Sequence, residues 1–301
     1  MRTLEFILLR ENTYAFTGAV NIGYSVKEGK GLLIDTGLDD SAANKVLRIL
    51  DEKGLPLDYC IITHAHTDHY GGANRIRSKR DVTILAPRLE KAIMENPVLE
   101  PIYLFNGAFP PISLRNKFLE AKGISVDKEI EAGPFQLGPF QLDILSLPGH
   151  SYGQIGVMVE GVLYASDAYF GKEALAKHIV PFITDADQTL ATLHYILEQS
   201  CHGAIPGHGI YEEDFRKTVE ENIALHHRRM EALEELIAGK QSCSFEGIVK
   251  EYLNEVGVSS RQLGQLLLYR TSITAYLISL ERRERITMMV TQNELVVALH
   301  S

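Results

Sequence analysis

The chain has 301 residues, a formal charge of −9, and 45% hydrophobic and 23% charged side chains, the balance of a soluble globular protein with room for one large domain and a smaller one. An acidic body repels polyanions at long range, and no apolar run reaches the ~20 residues a membrane helix needs. Cys60, Cys201 and Cys243 are scattered and odd in number, so no disulfide framework is expected, and with no signal peptide evident the chain reads as cytoplasmic.

Strands are predicted first, at Leu4–Leu9, Val20–Val26 and Gly31–Asp35. Asp39-Asp40-Ser41 can cap a helix whose Ala43, Val46, Leu47 and Leu50 recur at helical spacing. Asp58 to Ile62 is a short buried strand, and it delivers Thr63-His64-Ala65-His66-Thr67-Asp68-His69 onto a strand-to-helix turn, with a helix starting near Ala73. Three imidazoles and a carboxylate on one turn cannot all reach one ion. His64 and His66, two apart, can converge on one metal while Asp68 and His69 point toward a second. Imidazole with carboxylate suits zinc, with iron and manganese as alternatives.

A strand at Val82–Ala86 and a helix at Arg88–Met94 come next. Pro97 to about Gly138 is punctuated by prolines and carries Tyr103, Phe105, Phe109 and Phe118. It reads either as a flap over a site or as an irregular connection with its aromatics tucked into the core. Strands follow at Phe140–Leu147 and Ile155–Ala165, the latter turning at Glu160-Gly161, then a helix at Asp185–Gln199. A last strand, His202–Pro206, precedes a long helix from Glu212 to about Gly239, where a domain boundary is placed: 1–239 and 240–301. Strands that first look antiparallel and then alternate with helices predict a two-sheet core covered by helices, in the mixed α/β (α+β) class.

Three of these segments repeat one design, an apolar strand followed by a turn that carries a donor. Leu145 to His150 delivers His150, Val162 to Asp167 delivers Asp167, and Ala204 to His208 delivers His208. The order LIDTG, HAHTDH, PGHS, ASD, PGHG resembles the metallo-β-lactamase fold superfamily, in its glyoxalase II-like and lactonase-like branches, over roughly Leu4 to Gly209. The resemblance implies an αββα sandwich with the site at one edge. It implies His64, His66 and His150 on a first metal, Asp68, His69 and His208 on a second, Asp167 bridging them, and Asp35 orienting ligands. Asp167 stands where dinuclear β-lactamases usually have cysteine, His66 where flavodiiron proteins carry glutamate. The full second set differs from the mononuclear persulfide dioxygenases.

The implied activity is a dinuclear, metal-dependent hydrolase, most simply zinc-loaded, that opens the acyl bond of a small thioester, ester or lactone with a metal-bridging hydroxide. Asp68 would steady the hydroxide and relay its proton, and Tyr169 would be an oxyanion donor as in lactonases. A phosphodiesterase or ribonuclease of the same fold is the alternative, and a regulatory nucleic-acid-binding protein a third reading.

Beyond residue 239, helices are expected at Ser244–Val256 and Ser259–Leu268, with a third capped by Ser272, then a hairpin of Ile286–Val290 and Leu295–Leu299. Three helices and a ribbon resemble a winged helix. Arg282, Arg283 and Arg285 alternate with glutamates, and this segment holds seven basic and six acidic residues, too balanced for a nucleic-acid wing. A structural appendage or a homodimer contact is preferred.

Overall fold

The computed structural model describes residues 4–240 and 242–300. Its first sheet begins as an antiparallel meander: β1 (Glu5–Arg10), β2 (Thr13–Thr17), β3 (Ile22–Lys27) and β4 (Lys30–Ile34). The alternating Thr13–Thr17 strand is one the sequence reading missed. Helix α1 (Asp40–Glu52) follows, with the Asp39 carboxylate accepting from the Ser41 and Ala42 amides as its N-cap. The chain then adds β5 (Tyr59–Ile61), α2 (Thr67–Tyr70), α3 (Ala73–Arg77), β6 (Thr83–Ala86), α4 (Arg88–Glu95), α5 (Leu99–Leu104) and β7 (Lys128–Glu129). Strands β4 to β7 pair in parallel, completing a seven-stranded sheet in chain order.

The second sheet contains β8 (Gly133–Leu137), β9 (Phe140–Ser146), β10 (Ile155–Val159), β11 (Val162–Ser166) and, after α6 (Lys172–Lys177) and α7 (Ala186–Leu197), β12 (Gly203–Pro206). Its order is β12-β11-β10-β9-β8. The Glu160-Gly161 turn joins β10 to β11, with both residues left-handed as a tight hairpin requires. Leu32, Ile34, Ile61 and Leu85 from the first sheet meet Leu142, Ile144, Val157 and Ile205 from the second. Their neighbours Leu33, Cys60 and Ile84 face Val46 and Leu50 of α1 instead, and Leu145 and Leu163 pack under Leu193 and Val219. Both faces of the sheets are therefore buried, which explains the near-continuous apolar runs. The layers are helix, sheet, sheet, helix.

Helix α8 (Arg216–Ala238) leads to β13 (Ser242–Ser244), α9 (Phe245–Glu255), α10 (Leu263–Arg282), β14 (Ile286–Thr291) and β15 (Glu294–Leu299). The hairpin expected at the end forms, with Gln292 and Asn293 left-handed in its turn, and β13 adds a third strand beside β15. The expected break before Ser272 does not. The Thr271, Ser272 and Thr274 hydroxyls donate to the carbonyls four residues back, at 3.0, 3.2 and 2.7 Å, so they serve the helix interior rather than a cap. Two helices and a three-stranded sheet therefore stand where three helices and a ribbon were expected. One apolar cluster joins Ile183, Ala186 and Leu190 with Leu233, Ile248, Tyr276 and Val297, so this segment packs on α7 and α8.

The aromatics of the Pro97–Gly138 stretch divide, and only some of them are tucked in as the irregular-connection reading expected. Tyr103 and Phe105 pack against Leu104, Leu114, Leu119 and Leu267, whereas Phe109 and Phe118 are exposed. The Phe118 carbonyl accepts from Thr67 Oγ1 at 2.8 Å, so the stretch reaches the turn that carries Asp68.

Candidate metal centre

Four chain turns at one edge of the two sheets bring the predicted donors together. His64 and His66 follow β5, Asp68 and His69 lie on the single turn of α2, His150 follows β9, Asp167 follows β11, and His208 follows β12. Strands end where their ladder ends, so these turns are free to bend toward one another while the sheets fix their roots. Asp35 and Ser166, at the ends of β4 and β11, adopt φ of +65° and +53°. Such backbone is uncommon for residues other than glycine and is found where a site demands it.

The first donor group is compact. His66 Nδ1 lies 3.0 Å from His64 Nε2 and 2.8 Å from His150 Nε2. Ligands at tetrahedral zinc stand roughly 3.3 Å apart, so a cation would relieve this crowding of nitrogens with a slight expansion. His150 Nδ1 donates to the Phe182 carbonyl at 2.9 Å, which leaves its Nε2 with a free lone pair. The Thr63 and Ser166 hydroxyls, each 3.2 Å from His64 Nδ1, do the same for His64.

The second group is His69, His208 and Asp68. His69 Nδ1 donates to Asp35 Oδ2 at 2.8 Å and His208 Nδ1 to the Ala19 carbonyl at 2.9 Å, so both present Nε2. His208 Nε2 is 3.3 Å from Asp68 Oδ2. Asp167 stands between the groups: Oδ2 is 3.4 Å from both His150 and His208 Nε2, and Oδ1 is 3.3 Å from His69 Nε2. Yet His69 Nε2 and Asp167 Oδ1 are buried with no hydrogen-bond partner among the described residues. An imidazole nitrogen and a carboxylate oxygen, both buried and orphaned beside each other, fit a cation. His64, His69 and Asp167 form one cluster of metal-binding spacing, His64, His66 and His150 a second, and Asp68, His69 and His208 a third.

The electrostatics separate the two sides. Burial, with the neighbouring imidazoles, holds His64 well below its ordinary value, and burial with His150 lowers His66 to about 3. Burial likewise lowers His150, against the pull of Asp167. Burial opposes charge on His208 too, but Asp167 and Asp68 push it up to about 10. Burial also works against Asp68, which His69 and His208 hold down to about 2. The first group is thus neutral imidazole, with lone pairs ready for a cation, and the second a charge-paired set that would release protons to one.

Gly207 shows how tightly the turns approach. A Cβ there would sit 2.1 Å from Asp167 Oδ1 and 2.9 Å from His69 Cε1, so only glycine admits the Asp167 carboxylate at this place.

Tyr169 is not brought to this cluster. Its ring is buried with Leu145, Leu163, Leu193 and Phe215, its hydroxyl has no partner among the described residues, and Glu212 and Cys201 are the charges it feels. The apolar pocket beneath the second sheet took a residue that sequence position alone suggested for an oxyanion role. Phe170, next in the chain, is the one that reaches the site. Its ring stacks on His208 at 5.9 Å and 28°, and Phe182 lies 5.4 Å from His66 and 5.6 Å from His150. A cavity of about 630 Å³ opens beside His208, between Gly18-Ala19, α6 with His178, and Gly209-Ile210.

Three supporting residues went unread in the sequence. Glu90 is fully buried on α4 and accepts from the Ala65 amide at 2.8 Å, the Gly153 amide at 2.7 Å and the Ser151 hydroxyl at 2.5 Å. Asn222 of α8 accepts from the Phe170 amide and donates to its carbonyl, both at 2.9 Å. Asn21 Nδ2 donates to the Pro206 and Gly209 carbonyls at 2.8 and 2.9 Å, bracketing His208. Glu90 and Asn222 sit within helical runs where nothing marks a carboxylate or amide as buried.

Fold and donor constellation together define a protein with a candidate metal centre at one edge of its two sheets. The family model described as the metallo-beta-lactamase superfamily matches residues 15–208, and the chain belongs to that superfamily. A hydroxyacylglutathione hydrolase of Methylobacillus flagellatus is 27% identical over 145 residues, 48% of this chain and 45% of its own length. A lactamase-like protein of Pestalotiopsis microspora is 24% identical over 225 residues, 74% of this chain and 59% of its own. The chain thus spans about half the length of these relatives. The fold is shared with a metallo-beta-lactamase family protein of Thermus thermophilus (TM-score 0.73, 19% identity, 96% of this chain and 99% of that one). It is shared as well with a beta-lactamase domain protein of Burkholderia ambifaria (TM-score 0.75, 16% identity, 99% and 94%).

Proposed function

We propose that the protein is a dinuclear metal-dependent hydrolase of small acyl substrates: thioesters, esters or lactones. The observation that carries this is Asp167, whose two oxygens face the two histidine groups at 3.3–3.4 Å and so would serve both positions if each held an ion. The donor set favours zinc, with iron or manganese as substitutes. Bound at these residues, divalent ions would acidify water to a pKa of about 7 and polarise an acyl oxygen.

The chain's own groups complete the reaction. Asp68, partly exposed beside His208, takes a proton from the attacking water and returns it to the departing sulfur or oxygen as the acyl bond breaks. Phe170 and Phe182 keep bulk water from the imidazoles, which strengthens every charge interaction inside. The cavity beside His208 receives the substrate body. No serine or cysteine nucleophile is required.

Phosphodiester cleavage would use the same donors. Two cation–aromatic pairs on the flap, Arg115 over Phe109 and Lys117 over Phe118, would suit nucleotides, but Arg115 is paired with Glu120 and Lys117 with Asp39, which removes the positive excess a polyanion needs. A panel of thioester, lactone and bis-p-nitrophenyl phosphate, assayed before and after chelation, tests the assignment. Metal-dependent turnover of an acyl substrate is expected; full activity after chelation refutes it, and turnover of the phosphodiester alone replaces it with the second reading.

A further inference from the structure

We infer that the two metal positions are held by separate scaffolds, Glu90 serving the first and Asn222 the second, so that each can be lost without the other. The inference rests on the dinuclear reading above and concerns two residues that touch no ligand atom.

Glu90 connects the two turns that supply the first group. One of its oxygens accepts from the Ala65 amide, between His64 and His66, and the other from Ser151 and Gly153, on the turn that carries His150. Burial pushes the Glu90 carboxyl upward against these three donors. A buried carboxylate that accepts three hydrogen bonds fixes the separation of the turns it joins, because releasing it would leave two buried donors and one half-buried donor unpaired. His150 is held from behind by the Phe182 carbonyl. These bonds reach Asp68 and His69 only through the turn those residues share with Ala65, and none of them is made to His208 or its neighbours.

Asn222 works on the other side. Its amide pairs with both backbone groups of Phe170 as a neighbouring strand would, and also donates to the Thr218 carbonyl at 2.8 Å, so every amide hydrogen is used. Phe170 stacks near-parallel on His208, and the next residue, Gly171, donates its amide to the His208 carbonyl at 2.9 Å. The path from α8 to His208 is therefore two residues long. Phe170 also lies 6.1 Å from His150, but edge-on, and His150 has its own carbonyl anchor.

The test uses the full chain and zinc or cobalt(II). Competition with a chromophoric chelator gives two zinc affinities, and His66→Ala and His208→Ala identify which cobalt absorption bands belong to which position. Glu90→Gln should weaken the first position by ten-fold or more and the second by less than three-fold. Asn222→Ala should do the reverse, and Phe170→Leu should follow Asn222→Ala. Should Glu90→Gln fail to fold, Ser151→Ala removes one of the three bonds and should shift the first position alone, by a smaller factor. Equal weakening of both positions by either variant, or no weakening, overturns the inference. A wild-type chain that takes up only one ion instead refutes the dinuclear reading on which it rests.

Discussion

Replacing Asp35 by asparagine should disarm His69 without disturbing the fold around it. Asparagine has the same shape and tolerates the left-handed backbone at φ +65°. The carboxylate now accepts from the Thr63 amide at 2.8 Å, from the Thr63 hydroxyl at 2.9 and 3.0 Å, and from His69 Nδ1 at 2.8 Å. The amide oxygen can keep the Thr63 bonds, but its NH2 then faces His69 Nδ1. Two donors cannot share that 2.8 Å gap, so the ring must carry its proton on Nε2. An Nε2–H cannot ligate a metal and would point at Asp167 Oδ1, 3.3 Å away. Loss of such a supporting partner weakens metal binding by about 10- to 100-fold, or roughly 1.4–2.7 kcal/mol. Exchanging a charge-assisted bond for a neutral one should take about 1 kcal/mol from folding stability. Chelator competition reads the affinity, and nitrogen chemical shifts of labelled histidine read the tautomer. Wild-type affinity for both ions together with a retained Nδ1–H would show that Asp35 does not set the ring's orientation.

Gly207→Ala should abolish binding of at least one ion, since its methyl would occupy the space of Asp167 Oδ1; metal content of the purified variant measures this, and two ions per chain would refute it. Stability should fall in mild acid through His226, which is buried on α8, shares a 2.8 Å hydrogen bond with the Tyr276 hydroxyl, and is lowered by burial, with His227 and Arg229, to about 4. A depressed imidazole leaves the unfolded chain binding the extra proton between pH 6.5 and 4, so stability is full above 6.5 and declines below it, by about 2 kcal/mol at pH 5. Urea denaturation of the zinc-loaded protein at pH 7.5 and 5, beside His226→Gln, isolates that loss; equal pH slopes for the two chains would refute it. Tyr169→Phe should leave kcat for an acyl substrate within two-fold, because its ring is buried in the cluster under the second sheet and Glu212, not a metal-site donor, is the carboxylate its hydroxyl feels; a hundred-fold loss would restore it to the site.

Much of this arrangement could be read from the chain because its chemistry is local. HAHTDH compresses four donors into one turn, and an apolar run ahead of each isolated donor announces a strand end. Both signals depend on nearest neighbours in sequence. Glu90 is different: it meets Ala65, 25 positions away, and Ser151, 61 positions away, only once the chain has folded, so its role is a product of packing. Asn222 is likewise one polar residue among many on a long helix until Phe170 arrives beside it. Tyr169 was misread for the complementary reason. Its position two residues beyond Asp167 suggested a site, whereas strand and turn geometry turned Phe170 toward the imidazoles. The continuous α10 shows the same limit, since Ser272 has the look of a cap until its hydroxyl is seen to bond Leu268 within the helix.

An anomalous-scattering map of zinc-loaded crystals addresses the cation pair itself. Two peaks should appear, one at about 2.0–2.2 Å from His64 Nε2, His66 Nδ1 and His150 Nε2, the other at that distance from Asp68, His69 Nε2 and His208 Nε2, with Asp167 touching both. A single peak, or zinc bound only away from these seven side chains, would contradict the account.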